Sequence, residues 1–225
     1  GTCKITNYLQ SDDCLNTIDV FKNLGVSIQT DDNVVIINGK GLKSLTKPKE
    51  QLYAGNSGTL IRLVSGILSM QSFDSSISGD SSLVSRPMER IITPLSRMGA
   101  VIQSNENKPP LKFFSPSTRH CCNEVIKIAS AQVKSCLILA SLFVDGQSII
   151  KETTKTRDHT ERMLEFFNYD ITVDDNVISI NGNKNFSSKD LTIPSDISSA
   201  SFFIVAALIK KNSKILLKNI CINKY

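Results

Sequence analysis

Ile128-Ala-Ser-Ala-Gln-Val-Lys-Ser-Cys-Leu-Ile-Leu139 opens with small and polar residues, Ser130, Gln132 and Lys134, and runs straight into an apolar segment. Val133, Cys136, Leu137, Ala140 and Val144 recur at helical spacing, and Ile138, Leu139 and Leu142 fill the other faces, so the pattern predicts a buried helix over 131–144. Its first turn cannot hide its polarity, because the opening backbone N–H groups lack intrahelical partners and carry the positive end of the helix dipole. Such an end is suited to an anion. Ordinary capping by Ser130 accounts for the same residues, so the rest of the chain must decide between the two.

Working outward, the sequence repeats itself three times. A helix, a left-handed turn and two short strands are expected over 16–39, 91–113 and 160–182. Their turn asparagines, Asn33, Asn107 and Asn176, are 74 and 69 residues apart. Gly25 and Gly99 supply the left-handed helix end, and Asn168 tolerates it in the third copy. The Asp-Asn and Asn-Glu-Asn turns join alternating strands into hairpins. A second element precedes the first: apolar helices over 58–70, 131–144 and 199–210, each opened by small polar residues. Short strands are expected before them at 51–54, 124–129 and 190–193, and after them at 75–78, 148–151 and 214–218. The fold class is therefore α/β, a pseudo-threefold repeat of βαβαββ units. Lys4-Ile-Thr-Asn7 matches the strand after the first helix of a unit, so the first unit is expected to be truncated, and 190–210 is a candidate to fill its vacancy.

If the units pack about one axis, their buried helices start at one end and share an anion-binding surface. Gly58 and Thr59 give close backbone approach and a hydroxyl, and Arg62 lies one turn in. Arg86 precedes Pro87, which suits a first helical position. Arg157 precedes Asp158, an expected N-cap with Glu161 at capping-box spacing. Guanidinium groups bind carboxylate or phosphate in a bidentate manner. Each residue also has a plain reading: surface arginines, a structural His159 beside a cap, and Met88 and Met98 on a core stripe with Ile91, Ile92 and Leu95.

Composition sets the outer bounds. A chain of 225 residues, 40% hydrophobic and 21% charged, can bury a sizeable core. Its net charge of +5 is scattered rather than gathered with aromatics, which gives no support for nucleic-acid binding and suits small anions equally well. Six cysteines, at 3, 14, 121, 122, 136 and 221, show no metal spacing and are expected to be reduced thiols of a cytoplasmic protein. The longest apolar run, 200–209, is too short to span a bilayer, so no membrane partner is expected.

Leu52-Tyr-Ala-Gly-Asn-Ser-Gly-Thr-Leu-Ile-Arg62, Ser78-Gly-Asp-Ser-Ser-Leu-Val-Ser-Arg-Pro-Met88, Ser130-Ala-Gln-Val-Lys-Ser135 and Thr156-Arg-Asp-His-Thr-Glu161 together resemble the enolpyruvyl transferases, within them the EPSP synthase family. The Ser-Ala-Gln-Val-Lys run resembles its glyphosate-tolerant bacterial class. The resemblance implies an inside-out α/β barrel of two domains with the active site in the cleft between them. It also implies transfer of the enolpyruvyl group of phosphoenolpyruvate to the 5-hydroxyl of shikimate 3-phosphate, without metal or organic cofactor. By resemblance, Ser130, Ala131, Gln132 and Arg157 hold shikimate 3-phosphate. Gly58, Arg86 and Gln132 hold phosphoenolpyruvate, with Asn56, Thr59 and Arg62 shaping that side.

The departures bear on activity. The family's opening Pro-Gly-Asp-Lys-Ser segment and most of its second domain, with the acid/base carboxylates, are absent from the sequence. Residues 1–194 are expected to form the substrate-binding domain and 195–225 the start of the second, so the chain is expected to be inactive unless a complementing second-domain segment joins it. Two alternatives stand beside this: a non-catalytic remnant or binding module of the same fold, and a UDP-N-acetylglucosamine enolpyruvyl transferase. Against the latter, no catalytic-loop cysteine lies between Arg86 and Pro116.

Overall fold

Short alternating strands closed by asparagine and aspartate turns produce three four-stranded sheets of one design. The computed structural model describes residues 1–225. The first unit runs β1 (Thr2–Thr6), α1 (Asp12–Asn23), β2 (Ser27–Asp31), β3 (Val34–Asn38). The second runs β4 (Leu52–Tyr53), α2 (Gly58–Leu68), β5 (Ser75–Ser78), the short α3 (Ser81–Val84), α4 (Glu89–Arg97), β6 (Val101–Asn105), β7 (Lys108–Phe114). The third runs β8 (Asn123–Ile126), α5 (Ala131–Ser141), β9 (Gln147–Glu152), α6 (His159–Phe166), β10 (Ile171–Asp174), β11 (Val177–Asn181). The chain ends on β12 (Leu191–Thr192) and α7 (Ile197–Ile209).

Sheet orders are β12-β1-β3-β2, β4-β5-β7-β6 and β8-β9-β11-β10. In each, the first pair is parallel and the other two are antiparallel. The helix ends turn through left-handed Gly25, Gly99 and Asn168, at φ of 88°, 96° and 59°. Period-two alternation faces one side of the second and third sheets inward: Leu111 and Phe113 of β7, Ile150 of β9 and Ile178 and Ile180 of β11 are buried. The amphipathic α4 buries Ile91, Ile92 and Leu95, with Met88 and Met98 flanking it in the core. α2 and α5 lie inside, between the sheets.

The parallel strand that the first unit lacks comes from the far end of the chain. Ile5 pairs with Leu191 and Thr6 with Thr192, and the Lys4 N–H donates to the Asp190 carboxylate at 2.7 Å. The expected filling of the vacancy stops there. α7 buries Ala200 alone, while Phe202, Leu208 and Ile209 are 79%, 78% and 81% exposed. Two residue pairs suffice to dock a strand, but an inner helix must bury several faces at once, and α7 does not. The strand expected at 214–218 is also absent; a single bridge, Ser195 to Ile220, is all that forms there. A strand needs a neighbour for its backbone groups, and none is offered.

Candidate functional site

Each inner helix begins on a serine cap: Ser57 Oγ accepts from the Leu60 N–H at 3.2 Å, and Ser130 Oγ from the Val133 N–H at 3.4 Å. The two helices run parallel in register. Gln132, on the first turn of α5, donates to Thr59 Oγ1 at 2.8 Å and accepts from Arg62 Nη1 at 2.8 Å, while Arg62 also donates to the Gly58 carbonyl at 3.2 Å. Gly58 is the point of convergence, since a Cβ there would stand 2.9 Å from Nη1 of both Arg62 and Arg86. Glycine at this position lets two guanidinium groups approach one backbone.

A second chain of hydrogen bonds fixes Arg86. Its Nη2 donates to Asn56 Oδ1, and Asn56 Nδ2 donates to Asp80 at 2.7 Å. Asp80 is itself held as the cap of α3 through the Leu83 N–H at 2.8 Å. That N–H, with Asn56, lowers the Asp80 carboxyl below its ordinary value. Pro87 does not open a helix as its position suggested: Met88 is the N-cap and α4 starts at Glu89. Arg86 is instead held by the Asn56–Asp80 pair.

Beside this network, Arg62, Arg90, Ser130 and Gln132 line a cavity of about 260 Å³. Arg90 donates to the Ile128 carbonyl at 3.3 Å. Arg62, Arg86 and Arg90 make no salt bridge; the six ion pairs of the chain lie elsewhere. Burial, and then the guanidiniums of Arg86 and Arg90, push Arg62 below its ordinary value. Asp80 feels the charge of Arg86 from behind Asn56, but no carboxylate pairs directly with any of the three cations, which favours an anionic guest. A larger cavity of about 440 Å³ opens at the opposite, C-terminal ends of α2 and α5 and contains none of the expected residues.

Ala131 follows the Ser130 cap, and Arg157 is exposed on the turn between β9 and α6. The capping box at that turn does not form. Asp158 occupies the N-cap position without a side-chain cap bond; its carboxylate takes Asn223 at 2.8 Å and Arg162 at 2.9 Å. Glu161 turns inward instead, to Lys134 Nζ at 2.7 Å. His159 is exposed.

Several residues of the network had no distinguishing sequence signal. Arg90 is one lysine-or-arginine position among 26. Asp80 lies within a quoted motif, but its bond to Asn56 spans 24 residues. Lys134 reads as a polar residue at a helix start, yet it is 1% exposed. No group of histidine, cysteine and acidic residues could hold a metal ion. The six cysteines are unpaired, and burial pushes the Cys122 thiol up to about 12.

Known proteins of similar sequence and fold identify the family. The family model of EPSP synthase (3-phosphoshikimate 1-carboxyvinyltransferase) matches residues 1–225. The 3-phosphoshikimate 1-carboxyvinyltransferase of Ruthia magnifica subsp. Calyptogena magnifica is 47% identical over 223 residues, covering 99% of this chain and 51% of the relative. That of Legionella pneumophila (strain Corby) is 46% identical over 224 residues, covering 99% and 52%. Among solved structures, an EPSP synthase from Acinetobacter baumannii superposes with a TM-score of 0.91 at 43% identity, covering 99% of this chain and 51% of that one. The chain thus spans about half the length of the curated relatives it matches. Sheets, inner helices and motifs all point the same way, and the chain belongs to the EPSP synthase family.

Proposed function

We propose that this chain supplies the substrate-holding half of a 3-phosphoshikimate 1-carboxyvinyltransferase. Ser130, Ala131, Gln132 and Arg157 hold shikimate 3-phosphate. Gly58, Arg86 and Gln132 hold phosphoenolpyruvate, and Asn56, Thr59 and Arg62 shape its side of the site. The observation that carries this reading is the gathering of Arg62 and Arg90 with Gln132 at one cavity, and of Arg86 beside Arg62 at Gly58, with no carboxylate paired directly to any of the three guanidiniums. Both substrates bring a phosphate and a carboxylate, so the site and its guests have complementary charge.

In the reaction, the 5-hydroxyl oxygen bonds to C2 of phosphoenolpyruvate as C3 takes up a proton and the hydroxyl gives one up, and the resulting tetrahedral adduct loses a C3 proton and inorganic phosphate. This chain's contribution is to hold the two anions side by side, with Gln132 touching both; orientation of that kind is worth ~7–11 kcal/mol in favourable cases. Proton transfer needs acid/base groups, which this reading assigns to a second domain that begins at 195. Residues 1–194 are then the substrate domain, acting in the cytoplasm. The family match leaves the UDP-N-acetylglucosamine alternative without support.

Mixing the chain with the C-terminal half of the Legionella pneumophila relative and a peptide carrying the family's opening Pro-Gly-Asp-Lys-Ser segment tests this. Phosphate release that requires both halves and both substrates is the expected result. A complex that forms without turnover would favour the non-catalytic binding module.

A further inference from the structure

We propose that the buried cluster of Lys134, Glu152 and Glu161 is a positioning device for Arg157, a claim that rests on the reading of Arg157 as a ligand-holding residue. Lys134 lies one turn beyond Ser130 on α5, and its ammonium uses all three of its donors. One goes to Glu152 Oε2 at 3.0 Å, at the end of β9, and one to Glu161 Oε1 at 2.7 Å, in the first turn of α6. The third goes to the Thr156 carbonyl at 3.1 Å. Thr156 is gripped twice, since its hydroxyl donates to Glu152 Oε1. Ser135 and Thr160 add a further tie between α5 and α6 at 2.6 Å. The turn that carries Arg157 is therefore fixed at the residue immediately before it, and Asp158 is held on the other side by Asn223 and Arg162.

The repeat shows that the fold does not demand charge here. Counted from the serine caps, Lys134 of α5 corresponds to Ile61 of α2, which is fully buried. Counted from the left-handed residues Gly99 and Asn168, Glu161 corresponds to Ile92, also buried. The second unit fills both places with isoleucine, the packing that stability alone favours over buried ions. Only the third unit, whose turn bears Arg157, replaces them with an ion cluster. Its acceptors reach across three elements and end on Thr156, which fixes a geometry that apolar packing leaves loose.

The test compares Thr156→Val, Arg157→Gln and the double variant in the full 225-residue chain. Shikimate 3-phosphate affinity is measured by calorimetry and hydrogen exchange at 153–160 by mass spectrometry. Thr156→Val is expected to speed exchange at 153–160 and weaken binding about ten-fold, and Arg157→Gln to weaken binding without changing exchange. The double variant should bind no more weakly than Arg157→Gln alone, because the threonine acts through the arginine. Losses that multiply overturn the proposal, as does a Thr156→Val chain with faster exchange and unchanged affinity. A wild-type chain that binds no shikimate 3-phosphate overturns the ligand reading instead; unchanged exchange at 153–160 in Thr156→Val then overturns the positioning claim as well.

Discussion

Gly66 of α2 lies against the backbone of α5 so closely that an added Cβ would stand 2.1 Å from the Cys136 carbonyl oxygen. No side-chain rotation relieves that contact, because the obstacle is backbone. The two inner helices can therefore keep the register that brings Thr59, Arg62 and Gln132 together only with glycine at 66.

Gly66→Ala should separate the helices. Alanine's better helix propensity recovers about 1 kcal/mol, but the forced displacement should leave a net destabilisation of about 2–4 kcal/mol. The shift of the urea midpoint measures it, and an unchanged midpoint would mean that the helices pack less tightly than described.

Lys134→Met should be costlier than loss of a surface pair. It leaves Glu152 and Glu161 buried together without a cation, an effect of about 3–5 kcal/mol. Arg97→Met removes a bridge to Glu124 whose arginine is 57% exposed, and should change stability by ~0–1 kcal/mol. Equal losses in the two variants would contradict the account.

Glu161 should give a pH signature. Burial raises its carboxyl above the ordinary range, with Lys134 opposing the shift. A raised folded-state value means that the native chain binds this proton more tightly than the unfolded chain does. Its contribution to stability therefore falls as pH rises from about 4.3 through the folded-state value. Relative to Glu161→Gln, the wild type should lose melting temperature across that window and then level off. A wild type that gains on the variant with rising pH would contradict this.

α7 should be far less protected than the inner helices. Amides of 197–209 are expected to exchange far faster than those of α2 and α5, since α7 buries Ala200 alone. Slow exchange at 197–209 would mean that the helix docks after all.

Much of the architecture was legible in sequence because it rests on local pattern. Gly25, Gly99 and Asn168 mark helix ends by backbone chemistry, and the turn asparagines mark hairpins, so the three sheets followed from the repeat. The first-unit strand was legible by the same logic, since 190–193 matched the strand that the repeat required. α7 was legible as a helix, expected over 199–210 and found at 197–209, but its docking was not, because nothing in an apolar helix pattern states what will cover it. The site divides similarly. Gly58, Arg62, Arg86 and Gln132 stand in recognisable motifs, whereas the Lys134 cluster joins residues 18 and 27 positions apart. Its burial follows from three elements meeting, and Glu161 offered a plausible local role as a cap that the tertiary contact displaced.

Titration of shikimate 3-phosphate into the purified chain, repeated with Gln132→Ala and Arg157→Ala, tests the central claim most directly. Saturable binding by the wild type, lost in both variants while both still unfold cooperatively, is the expected result. A cooperatively folded wild-type chain that binds no shikimate 3-phosphate would contradict the assignment of Ser130, Gln132 and Arg157 as its holding site.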